Sequence, residues 1–81
     1  MLIRSQNRRE LVKVIRVSIS KPISIDGRVK IIGYYRPITL MFNNSVTLGI
    51  YTFEEAMNEI NNIEKFFNEY PESVYNMKII E

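Results

Sequence analysis

The side chains equipped to act chemically are arginines and lysines in one half of the chain and glutamates in the other. Residues 1–50 hold nine bases (Arg4, Arg8, Arg9, Lys13, Arg16, Lys21, Arg28, Lys30, Arg36) against the acids Glu10 and Asp26, whereas residues 51–81 hold Lys65 and Lys78 against seven glutamates. A formal charge of only +2 therefore hides a strong asymmetry, which bears on partners rather than on fold. Arg16, Arg28 and Lys30 fall, with Ser18, Thr39 and Thr47, on the strand phase opposite the apolar residues. That phase predicts a cationic open sheet face suited to phosphates, with Tyr34, Tyr35 and Tyr51 as stacking surfaces near its edge. Arg8 and Arg9, beside Gln6 and Asn7, would grip a carboxylate or phosphate from a loop, arginine being suited to bidentate contact. A solvated strand face and a solvated turn are the ordinary alternatives.

The missing residue types narrow the chemistry further. With no histidine and no cysteine, the chain lacks the commonest neutral-pH base, the commonest metal ligand and every thiolate. Gly27, Gly33 and Gly49 are too far apart for a phosphate-cradling loop. No metal or cofactor is expected, and an enzyme would have to work with Glu, Lys, Tyr or Ser alone. Glu64 stands out on the helical wheel, inside the apolar stripe between Ile60 and Phe67. There it would pair with a sheet arginine or act as a lone buried acid, unless the helix end overhangs the sheet and Glu64 reaches water.

The elements that must position these residues follow from periodicity. Leu2 to Ser5 reads as a first strand, broken by the polar cluster Gln6 to Glu10. From Leu11 to Ile19, Ile15, Val17 and Ile19 alternate with Arg16 and Ser18 as a half-buried strand ended by Lys21-Pro22. Asp26-Gly27 is a hairpin signal, but a two-residue turn would pair Ile25 with Arg28; an odd loop pairs Ile25 with Val29 and Ile23 with Ile31, which keeps one face apolar. The same argument aligns Ile38, Leu40 and Phe42 with Val46, Leu48 and Ile50 across a three-residue loop at Asn43-Asn44-Ser45. Thr52 and Glu55 form a capping box, and Phe53, Ala56, Met57, Ile60, Ile63 and Phe67 give one helical stripe stopped by Pro71. Tyr75, Met77 and Ile79 alternate as a final short strand or tail.

The 81 residues thus read as a single α+β domain over 1–81: an antiparallel sheet of four to six strands packed on one long C-terminal helix. Arg4, Arg8 and Arg9 interrupt any signal-peptide core, and Pro37 to Phe53 is too polar for a bilayer span, so a cytoplasmic setting with no membrane contact is expected.

Ile3-Arg4-Ser5-Gln6-Asn7, Leu48-Gly49-Ile50-Tyr51-Thr52-Phe53-Glu54-Glu55-Ala56 and Val74-Tyr75-Asn76-Met77 together resemble a set of small proteins of low-GC Gram-positive bacteria and their phages. Those open on an RSQN or RSQD strand and carry a GxYxTEExA helix start and a YxMP tail. Lys78 stands where that tail has proline, and Lys21 to Pro37 is longer and more basic than the pattern. The resemblance implies an antiparallel sheet on one helix, a cytoplasmic setting and a prophage or mobile-element origin, and it implies no activity.

Phe66 sits roughly 120° from the centre of the stripe, so a monomer that buries Phe67 leaves Phe66 in water unless the C-terminal tail covers it. With Tyr70, Val74, Ile79 and Ile80 it makes an apolar interface in the acidic half, and a homo-oligomer, first of all a dimer, is expected. The functional expectation is a non-enzymatic binding or adaptor protein acting through protein contacts. The alternative is a nucleic-acid- or nucleotide-binding accessory protein using the cationic face.

Overall fold

The computed structural model describes residues 1–22, 25–36 and 44–80. The chain runs β1 (Leu2–Arg4), β2 (Leu11–Lys13), β3 (Arg16–Ile19), β4 (Val29–Tyr34), β5 (Ser45–Tyr51), α1 (Phe53–Glu69) and β6 (Val74–Asn76). It is an α+β fold, but the strands divide into two three-stranded sheets, β2-β1-β6 and β3-β4-β5, rather than the single larger sheet expected. Neither is the pairing wholly antiparallel, because β6 runs parallel to β1.

The division arises inside the stretch that reads as one strand, Leu11 to Ile19. Val12 and Val14 face inward and so do Val17 and Ile19, which requires the phase to slip once between them. It slips at Ile15-Arg16: Arg16 is paired with Tyr34 while the Ile15 N–H also donates to the Tyr34 carbonyl, so two residues stand against one. The expected burial of Ile15 is therefore overturned; it is 64 % exposed.

Hairpin register departs from expectation for a related reason. Ile31 lies opposite Ile19, and the ladder closes where Ser20 donates to the Lys30 carbonyl, so β4 takes Arg16–Ile19 as its partner rather than residues 23–25. Val17 and Ile19 offer the same alternation, and Pro22 has no donor with which to continue the ladder. Ile25 is fully exposed, and Ile23 lies outside the described residues. Ile38, Leu40, Phe42 and Asn43 also lie outside them, and with them the expected pairing across Asn43-Asn44-Ser45; among the described residues β5 pairs with Val29–Tyr34.

Within β5 the register shifts between Ile31 and Ile32, leaving Leu48 as an extra residue. Val46 and Leu48 keep the core phase; past the bulge, Ile50 falls opposite Lys30 on the open face and Tyr51 turns inward opposite Val29. The expected inward Ile50 is thus replaced by Tyr51. Gly49 is needed for this, since a Cβ there would lie 2.5 Å from the Tyr51 ring.

The helix starts as its sequence dictates. The Glu55 N–H donates to the Thr52 hydroxyl at 3.2 Å, and the Thr52 N–H donates to the Glu55 carboxylate at 2.9 Å. These bonds also hold the Glu55 carboxyl below its ordinary value, the Thr52 backbone contributing most. The buried stripe is rotated from the expected one: Ala56, Glu59 and Ile63 are buried, Ile60 and Phe67 partly so, and Phe53 and Met57 are exposed. Helix and sheets share one core, built from Ile3, Val14, Val29, Ile31, Leu48, Tyr51, Ala56, Ile63 and Met77.

Candidate functional site

Three regions gather the chemically capable groups. The first is the β1–β2 loop. Ser5 is buried, donates from its hydroxyl to Asn7 Oδ1 at 2.7 Å and accepts from the Glu10 N–H; Asn7 Oδ1 also accepts from the Arg9 N–H. Arg8 closes the turn in the left-handed region, at φ 67°. Gln6 spans to the opposite sheet: its N–H donates to the Leu48 carbonyl at 2.7 Å, its Oε1 accepts from the Ile50 N–H at 3.0 Å, and its Nε2 donates to the carbonyls of Ile50 and Lys78. The Ser5 and Asn7 side chains are therefore consumed in shaping the loop and that of Gln6 in tying it to β5 and the C-terminal segment, and Arg8 and Arg9 are left exposed.

The second region is the face of β3-β4-β5 turned away from the helix. The register places Arg16, Tyr34 and Ser45 in one row, Ser18, Ile32 and Thr47 in the next, and Lys30 with Ile50 in a third. The Arg16 guanidinium lies 4.2 Å from the Tyr34 ring centroid, a cation–π stack, and the Ser18 hydroxyl donates to the Tyr34 hydroxyl at 3.4 Å. No acidic residue belongs to these three rows. Arg28 does not join them; it stands in the β3–β4 connection, 3.3 Å from Asp26. Thr39 lies outside the described residues, Tyr35 points elsewhere, and Tyr51 is in the core, so of the three tyrosines only Tyr34 serves this face.

Beside β2 lies the third region, a groove of about 780 Å³ walled by Leu11, Val12, Ile15, Tyr35 and Val46, with Lys13, Arg36, Glu10 and Ser45 at its rim. Leu11 is 50 % exposed there. Sequence reasoning missed this groove because it assigned Leu11 and Ile15 to a single regular strand.

Among the described residues one carboxylate is buried, and it is Glu59 rather than Glu64, which is exposed. Glu59 accepts from the Tyr75 hydroxyl at 3.0 Å, the Lys78 N–H at 3.0 Å and Asn62 Nδ2 at 3.4 Å. The Lys78 carbonyl in turn accepts from the Tyr51 hydroxyl at 2.7 Å. Burial, and then the Glu59 charge, push both tyrosine hydroxyls well above their ordinary range. With its oxygens engaged and only 2 % of its surface exposed, Glu59 fastens the C-terminal segment to the helix and presents nothing to a substrate. Its place midway between Ala56 and Ile63 was the available signal, each step being a helical neighbour.

The interface residues separate likewise. Phe66 is half-buried, its ring 5.0 to 5.5 Å from those of Phe67, Tyr75 and Tyr70, so β6 covers the side that the helical wheel would leave in water. Tyr70, Val74, Ile79 and Ile80 are exposed. Among the described residues no cluster of acidic groups could hold a metal ion, and no helix is long and apolar enough to cross a membrane. Compared with protein-family models, curated proteins and solved structures, the chain matches none.

Proposed function

We propose that this chain is a non-enzymatic binding module that acts through protein contacts at the groove beside β2. One observation carries the reading: Ile15, in the bend between β2 and β3, and Leu11, on β2, are large apolar side chains that stand 64 % and 50 % exposed at the wall of a groove. Burying such side chains on a partner would release apolar surface from water, at about 25 cal/mol per Å². The complete engagement of Glu59 and the want of histidine and cysteine favour binding over catalysis. Selection from a displayed random-peptide library tests it. Enriched peptides should bind the wild-type chain, lose binding to a folded Leu11→Asp/Ile15→Asp variant, and keep it with Arg16→Glu. A library yielding no binder that depends on Leu11 and Ile15 counts against the reading.

A second reading has its own support in the Arg16–Tyr34 stack, which joins Lys30 on a face free of acids. There the face would take a nucleic acid, phosphates on the cations and a base on the guanidinium plane. Retention of a fluorescent oligonucleotide should then fall steeply with salt and vanish in Arg16→Glu/Lys30→Glu. Absence of retention even at about 20 mM salt, where the Debye length exceeds about 20 Å, would end that reading.

A further inference from the structure

The β2 edge carries more information than apolar exposure alone. Met1 and Val14 exchange hydrogen bonds at 2.7 and 3.2 Å, and the Ser5 N–H donates to the Glu10 carbonyl at 2.9 Å. Bonded pairs alternate along an antiparallel ladder, so Ile3 and Val12 form the bonded pair between those two. Leu11 and Lys13, opposite Arg4 and Leu2, therefore turn their N–H and C=O groups away from β1 and toward the groove. Among the described residues nothing pairs with them, because β2 is the end strand of its sheet and the next backbone bond made away from β1 is that of Ile15 to Tyr34.

Two donors and two acceptors in line, flanked by Leu11 and Ile15 and faced by Tyr35 and Val46, make the floor and walls of a slot for extended chain. The rim sets its charge. Lys13 and Arg36 outweigh Glu10 there, Arg9 stands exposed at the strand's approach, and residues 1–50, which supply the whole lining, carry a large excess of bases. We infer that this groove takes an extended segment of another protein, alternating apolar and acidic residues, which adds as a strand to β2. The inference rests on the protein-contact reading and deepens it by naming the conformation and charge of the partner.

The full chain is titrated with a short fluorescent peptide alternating valine and glutamate, with a valine–lysine counterpart, and with a valine–glutamate peptide interrupted by proline. Amide hydrogen exchange is followed in parallel. Only the uninterrupted acidic peptide should bind, and it should slow exchange at Leu11 and Lys13. Lys13→Gln removes a charge and should weaken binding about twofold to fivefold. Lys13→Pro also removes the outward N–H, which β1 does not use, and should weaken binding about tenfold or more. Proline is tolerated at such an edge position, and unaltered exchange at Ile3 and Val12 would verify the variant's fold.

Binding without protection of Leu11 and Lys13, or equal losses in the two variants, overturns strand addition. Equal binding of the lysine peptide overturns the acidic preference. A second copy as occupant would appear as a dimer in sedimentation that the peptide disperses, and it overturns the peptide assignment. No binding by any of the three peptides overturns the inference, while library peptides dependent on Leu11 and Ile15 would still uphold the broader reading.

Discussion

The surroundings of Lys78 and the edge of β2 both present backbone N–H and C=O groups beside apolar side chains, and they differ in whether those groups are answered. At Lys78 the N–H meets Glu59, and the carbonyl receives both the Tyr51 hydroxyl and Gln6 Nε2. At β2 the outward groups of Leu11 and Lys13 find no partner among the described residues, and the side chains beside them are half exposed or more. A polar cluster whose members satisfy one another is structure, however chemically suggestive its carboxylate and tyrosines are. An edge left open beside exposed apolar surface is the feature on which the proposed binding rests.

The contrast breaks most directly at Glu59. Glu59→Ala leaves the Lys78 N–H and the Tyr75 hydroxyl without their acceptor, and should cost about 2–5 kcal/mol of unfolding free energy. Glu64→Ala should stay within about 0.5 kcal/mol. Urea midpoints of the two variants decide it, and equal midpoints would remove the distinction between a sealed and an exposed glutamate.

Gly49→Ala tests the same cluster from the sheet side. Its Cβ would press on the Tyr51 ring, which the Lys78 bond holds in place, and overpacking of this kind costs about 1–3 kcal/mol. The near-ultraviolet tyrosine signal should change along with stability; an unaltered signal and midpoint would mean that the ring moves aside freely.

Thr52→Ala removes a bond made within one helical turn and should cost about 0.5–2 kcal/mol, with the urea slope unchanged. An unshifted midpoint would deny the capping box any share in stability.

The smallest effect sharpens the comparison through pH. Because Tyr51 and Tyr75 hold their protons more tightly folded than unfolded, the native state binds more protons once pH passes the ordinary tyrosine value of 10.0, and stability falls as pH rises from there. The slope is about 1.4 kcal/mol per pH unit for each tyrosine. Tyr51→Phe loses one hydrogen bond, about 0.5–1.5 kcal/mol near neutrality, and should lose stability less steeply between about pH 10 and pH 12. Parallel alkaline slopes for wild type and variant would show that Tyr51 is not sealed.

What the sequence determined by itself lies within the reach of a turn of helix or a strand's alternation. Thr52 and Glu55 are three residues apart and satisfy each other wherever the helix sits, so the capping box was legible. Alternation put Arg16, Ser18, Lys30 and Thr47 on one face because side-chain direction in a strand has period two.

Tertiary structure decided whatever depended on a shift of phase or a distant partner. The slip at Ile15-Arg16 and the bulge at Leu48 each add one residue to a strand, and one residue is enough to expose Ile15 and exchange Ile50 for Tyr51. Glu59 and Glu64 are alike as letters on a helical wheel. Only the arrival of Tyr75 and Lys78, 16 and 19 residues further along, makes the first a buried acceptor and leaves the second in water. The same arrival covers Phe66, because a helix face is apolar or exposed only in relation to what the rest of the chain lays across it.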